Sequence, residues 1–166
     1  INSGSGNQGM TCSLPVLEYA KELHVSEDKT YRALALSNLI AIHQKTGIGR
    51  LSAYCGAVSA GAAAGAGIAY LCGGGYEEVI HTVVNALAIV SGMVCDGAKA
   101  SCAAKIAASV DAGILGYNMY LQGQQFYAGD GIITKGIEGT IDNVGRLGKD
   151  GMKETNEEII RIMIND

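Results

Sequence analysis

Twenty-two consecutive residues, Leu51 to Cys72, contain no charged side chain, and 12 of them are Gly or Ala. A run of that length has to be weighed as a membrane span. Gly, Ala and Ser, however, contribute little transfer free energy beside Leu or Phe, so the run reads as a buried central helix. Ala57, Gly61 and Gly65 recur at four-residue spacing and would let a neighbouring backbone come close. A chain of 166 residues, 48% of them hydrophobic, can enclose such a helix in one core. Its 24 glycines against a single proline do not describe a disordered linker.

The flanking segments also carry helical patterns. Ser13 to Leu23 reads as a short helix with Ser13 as N-cap and Pro15 in the first turn. A second fits Glu27 to Lys45, where Tyr31, Leu34, Leu36, Leu39, Ile40 and Ile42 form a wide apolar stripe, with Gly47 and Gly49 as the stop. Gly73 to Gly75 ends the central helix. Tyr76-Glu77-Glu78 opens the next, which runs to about Ser91 with its acids in the first turn. Ala98 to Leu121 is helical, Gln122 to Gly136 a loop, and Thr134 to Gly148 a helix weakened by its glycines. In Met152 to Ile164 the charges Glu157, Glu158 and Arg161 face outward, and Ile159, Ile160, Ile162 and Met163 inward or toward an interface. No strand alternation of useful length occurs. The expected architecture is all-α: one multi-helix domain over residues 1–166, built around the Gly/Ala-rich helix.

A net charge of -4 with no basic stripe excludes the electrostatic footprint of a nucleic-acid binder. Five cysteines, an odd number with no secretory signal in view, argue for reduced thiols in a cytoplasmic protein. The chain opens without an initiator Met inside a Gly/Ser/Asn run, and reads as part of a longer protein.

Chemistry concentrates in Cys95-Asp96-Gly97-Ala98-Lys99-Ala100-Ser101-Cys102. Cysteines seven apart do not match a zinc ribbon. On one straight helix they would stand about 10 Å apart at ~1.5 Å per residue, so Gly97 is read as a break that turns both thiols toward one place. Cys55, at the start of the central helix, could add a third thiolate. Three thiolates fall one short of a closed iron–sulfur site and would leave a position open to substrate. The competing reading is that free cysteines serve as small core hydrophobes, the role assigned to Cys12 and Cys72. The opening segment, Asn2 to Thr11, has the free N–H groups and polar side chains of an anion-binding loop, without the lysine of a P-loop; the alternative reading is a simple flexible loop.

Three segments in order, Gly4-Ser5-Gly6-Asn7-Gln8-Gly9-Met10-Thr11, Gly49-Arg50-Leu51-Ser52-Ala53-Tyr54-Cys55-Gly56 and Cys95 to Cys102, closely resemble the L-cysteine desulfidase family, related to the alpha part of iron–sulfur L-serine dehydratases. The resemblance implies a [4Fe-4S] cluster held by Cys55, Cys95 and Cys102. It implies α,β-elimination on a small L-amino acid, giving pyruvate and ammonia from L-serine, with sulfide in addition from L-cysteine. Ser3, Ser5, Asn7 and Gln8 would hold the substrate carboxylate. The interval from Cys95 to Cys102 is shorter than in the classical serine dehydratases, which favours the desulfidase branch. A catalytic N-terminal portion is implied as a partner, with a second copy of the chain as a further one.

Lys99 and Lys105, beside the presumed ligands, and His43, before the Cys55 segment, are the candidate general bases. Arg50 either binds the carboxylate or caps the preceding helix. The rival expectation is a non-catalytic helical interaction or membrane module with structural cysteines; Asp96 and Lys99 between two cysteines speak against it.

Overall fold

A computed structural model describes residues 1–165. It is all-α: α1 Gly6–Glu22, α2 Glu27–Ile48, α3 Gly56–Leu71, α4 Tyr76–Val90, α5 Cys102–Leu121, α6 Ile137–Arg146, a π-helical turn Leu147–Gly151 and α7 Lys153–Asn165. Among the described residues there is no strand, only two isolated bridges. No helix among them is long and apolar enough to cross a membrane.

The uncharged run becomes α3, buried along nearly its whole length and packed against α1, α2, α4 and α5. Small residues let the backbones meet. A Cβ on Gly61 would lie 2.5 Å from the Ser109 carbonyl of α5, and one on Gly113 would lie 2.7 Å from the Gly61 carbonyl. α6 closes the core against α2 and α4, while α7 packs only on the π-helical turn.

Five local expectations are corrected. The first helix starts at Gly6, not Ser13, because Ser5 has the extended backbone of an N-cap and its hydroxyl accepts from the Gln8 N–H at 3.3 Å. Pro15 therefore lies within α1. In α2 the buried face is Ala33, Ser37, Ala41, Gln44, Lys45 and Ile48, and the wide stripe is displaced: Tyr31, Leu39 and Ile42 are exposed. Close approach of α1 and α3 selects the small side chains for the inner face. α3 begins after Cys55, leaving Leu51 on the surface, and α5 begins at Cys102 rather than Ala98. α7 buries no residue, so its isoleucines do not face inward.

Candidate active site

Cys55 and Cys95 are brought together by the antiparallel bridge Tyr54–Val94. The Cys95 N–H donates to the Ala53 carbonyl at 2.7 Å and the Cys55 N–H to the Met93 carbonyl at 3.2 Å. The bridge is anchored from behind. Tyr54 is fully buried with its hydroxyl 2.9 Å from that of Ser91, and the Ser52 hydroxyl donates to the Gly148 carbonyl at 2.6 Å. Gly97, at φ +88°, turns the chain so that Cys102 opens α5. Its sulfur sits 3.4 Å from the Lys99 N–H and 3.5 Å from the Gly97 carbonyl.

Cys55 is the N-cap of α3 and Cys102 the first residue of α5, so both lie where a helix dipole favours an anion. Neighbouring Cys55 is the main reason the Cys95 thiol is drawn down to about 5; the Gly97 N–H and the Lys105 charge assist, against burial. The proximity of Cys95, with burial, pushes Cys55 up.

A cavity of about 140 Å³ joins these groups, lined by Cys55, Cys95 and Cys102, by Ser5, Asn7 and Gln8 of the opening segment, and by Lys105. The segment and the three cysteines, distant in sequence, face one space. Gln8 lies across the start of α3 in the room that any side chain at Gly56 would need.

The candidate bases fare differently. The Lys105 ammonium donates to Asp96 Oδ1 at 2.5 Å and to the Val94 carbonyl at 3.1 Å. Asp96 raises its pKa, which makes Lys105 a fixed cation rather than a proton acceptor. Lys99 is exposed and outside the cavity lining. His43 is exposed on α2, its Nε2 2.8 Å from Glu138 Oε2, away from the cysteines. Ser3 and Arg50 line a different cavity together with Lys45. Cys12 is buried, donating to the Asn38 side-chain oxygen at 3.2 Å, while Cys72 is exposed at the end of α3 and is no core filler.

Lys45 escaped the sequence reading. It is only 7% exposed, and burial lowers its pKa against the opposing pull of Cys95 and Cys55. The available signal was its spacing: Ala33, Ser37, Ala41 and Lys45 follow at four-residue intervals, so a lysine continues a small-residue stripe.

Among the described residues no three His, Cys, Asp or Glu side chains converge as for a single metal ion. A cubane cluster presents separate irons to separate thiolates and asks instead for soft donors around a shared space. Three cysteines around one cavity, two at helix N-termini, fit that donor chemistry.

The family described as serine dehydratase alpha chain matches residues 1–161. Similar curated proteins are UPF0597 proteins, a designation that states no reaction. That of Desulfitobacterium hafniense is 72% identical over 99% of this chain and 38% of its own length. Those of Lachnoclostridium phytofermentans and Treponema denticola are 62% and 54% identical, each over 99% of this chain, and over 40% and 38% of their own lengths. The chain thus spans well under half the length of these relatives. No solved structure gives a significant match.

Proposed function

From the premise that the chain belongs to the serine dehydratase alpha-chain family, we propose that it is the cluster-bearing part of an iron–sulfur lyase that performs α,β-elimination on L-cysteine or L-serine. The observation that carries the reading is the single cavity lined by Cys55, Cys95 and Cys102 together with Ser5, Asn7, Gln8 and Lys105. The three cysteines would hold a [4Fe-4S] cluster, which when bound supplies a Lewis-acidic iron open to the substrate's β-substituent.

The chain's own residues supply the rest. Ser5, Asn7 and Gln8 orient the polar end of a small amino acid at the N-terminus of α1, where the dipole favours a carboxylate. Lys105, held protonated by Asp96, faces the same cavity and offsets negative charge on the departing thiolate or hydroxide. Its raised pKa assigns the Cα proton to another acceptor. The aminoacrylate released by elimination would hydrolyse to pyruvate and ammonia.

Anaerobic reconstitution with iron and sulfide tests this reading. The expected result is iron in the chain with thiolate-to-iron absorbance, lost in Cys55→Ala, Cys95→Ala and Cys102→Ala. A protein of the relatives' full length should then form pyruvate from L-cysteine or L-serine. An anaerobic preparation that binds no iron, or a loaded one that forms no pyruvate from either amino acid, removes the proposal.

A further inference from the structure

A further cavity, about 230 Å³, opens between α4 and the loop that joins α5 to α6. It shares no residue with the cysteine-lined cavity. Ile80, Val84, Phe126, Ile133 and Ile137 give it apolar walls, and the one charged chain beside them, Lys135, is exposed. Two other lining residues, His81 of α4 and Gln125 of the loop, each keep a buried polar atom without a hydrogen-bond partner: Nδ1 of the imidazole and Oε1 of the amide. Among the described residues four side-chain atoms are in that condition, and two of the four belong to this lining.

Both groups are held in place by their surroundings. The His81 ring stacks on Tyr120, with centroids 4.6 Å apart and planes 7° from parallel, and its Nε2 lies 3.6 Å from Glu77 Oε2. That carboxylate draws the proton of the neutral ring to Nε2 and leaves Nδ1 as an acceptor. Gln125 sits in a pinned loop. The fully buried Asn85 accepts from the Phe126 N–H at 3.0 Å while donating to the Gly116 carbonyl at 3.0 Å, and Asp130 accepts from the Tyr127 N–H at 2.7 Å. Buried acceptors left unpaired are costly and rare. The space far exceeds the ~10–15 Å³ that one water needs, and a buried water also asks for about two to four polar partners. These walls are mostly apolar.

We infer that this cavity binds a small uncharged molecule, a primary amide on an apolar body, with His81 Nδ1 and Gln125 Oε1 as the acceptors of its N–H groups. Three features select that chemistry. Two unpaired acceptors ask for donors, and an amide NH2 supplies two. Apolar walls ask for an apolar body. Charge is disfavoured: an ammonium would lose its hydration against neutral acceptors and beside the like charge of Lys135, while a carboxylate brings the acceptors no proton. The site stands whether or not the chain is a lyase.

The test needs neither cluster nor turnover. Benzamide is the probe, and the 166-residue chain carries nitrogen-15 in its three histidines, of which His24 and His43 are exposed and serve as controls. At about pH 8, above the ordinary imidazole range, benzamide should shift the His81 Nδ1 resonance to saturation and leave His24 and His43 unmoved. Benzoate, which has the ring without an N–H, and N,N-dimethylbenzamide, whose amide has lost both, should shift nothing. Acetamide, which has the NH2 without the ring, should bind about tenfold more weakly or worse. By calorimetry His81→Phe, which keeps a ring on Tyr120, should weaken benzamide binding about tenfold, and Gln125→Met several-fold. Neither should lower the urea midpoint of the free chain, because each removes an unpaired acceptor; a purely structural role would lower it. Absence of a saturable shift with benzamide, the result if water alone fills the cavity, overturns the inference. So does equal affinity for N,N-dimethylbenzamide, or unchanged benzamide affinity in both variants. Should His81→Phe fail to fold, unchanged affinity in Gln125→Met overturns it alone.

Discussion

The chemistry of Cys95 departs strongly from its residue type, and neighbouring Cys55 is the first cause, with the Gly97 N–H and Lys105 adding to the effect. Since its pKa is lowered, the thiolate persists at pH values below the ordinary thiol range near 8.5 and is lost only when the pH falls through the depressed value. In the cluster-free chain, iodoacetamide should therefore modify Cys95 at pH 6 while sparing the buried Cys12, whose pKa is raised by burial. Peptide mass spectrometry across pH reads this directly. Cys55→Ala should move the Cys95 midpoint upward by about one pH unit or more; no movement would mean Cys55 does not set it. The same residue scale shows what sequence could reveal. Cys55, Cys95 and Cys102 were legible because their segments are distinctive in order and spacing. Lys45 was not, because a lysine at a helix end ordinarily reaches solvent, and only the packing of α1 and α3 against α2 turns it inward. His43 was legible as a histidine preceding the Cys55 segment, but its pairing with Glu138, 95 residues on, is a tertiary fact.

At the scale of elements, the interface of α3 with α5 depends on missing side chains. Gly61→Ala would place a Cβ 2.5 Å from backbone atoms of Ser109, which can yield only if the two helices separate. Overpacking of this kind costs about 1–3 kcal/mol, and the better helix propensity of Ala, up to about 1 kcal/mol, only partly offsets it. Gly6→Ala meets nothing within 4 Å and serves as the control. Urea unfolding should show a lower midpoint for Gly61→Ala and little change for Gly6→Ala; equal midpoints would contradict the close packing. Existence and type of the helices were readable from periodicity, and α3 most clearly. Their faces and starts were not. In α2 the stripe of large apolar residues outweighed the stripe of Ala33, Ser37 and Ala41 in the sequence, whereas the fold buries the latter because close backbones reward small size over hydrophobicity. The start of α1 at Ser5 was hidden by the glycines around it, which weaken any helical pattern.

Across the whole molecule, packing is distributed very unevenly, and stability should follow it. α3 touches four helices and buries 14 of its 16 residues, whereas α7 packs on no other helix than the π-helical turn and buries none. Amides in elements with few buried contacts exchange through local opening at small free energy, while those of a central helix exchange only when the whole domain opens. α7 nevertheless bears on the candidate site, because a Cβ on Gly97 would come within 3.6 Å of the Met163 methyl. The outermost cover of the Cys95–Cys102 turn is thus carried by the least anchored helix. Hydrogen exchange read by mass spectrometry should find α7 exchanged within seconds and α3 protected up to the global unfolding free energy. Truncation after Met152 should lower stability by less than about 1 kcal/mol, the range for surface changes away from buried contacts, while raising the rate at which Cys102 is alkylated. Protection of α7 comparable to that of α3 would show that this helix has a packing partner beyond the contacts seen here, and the turn bearing Cys95 and Cys102 would then be closed rather than loosely covered.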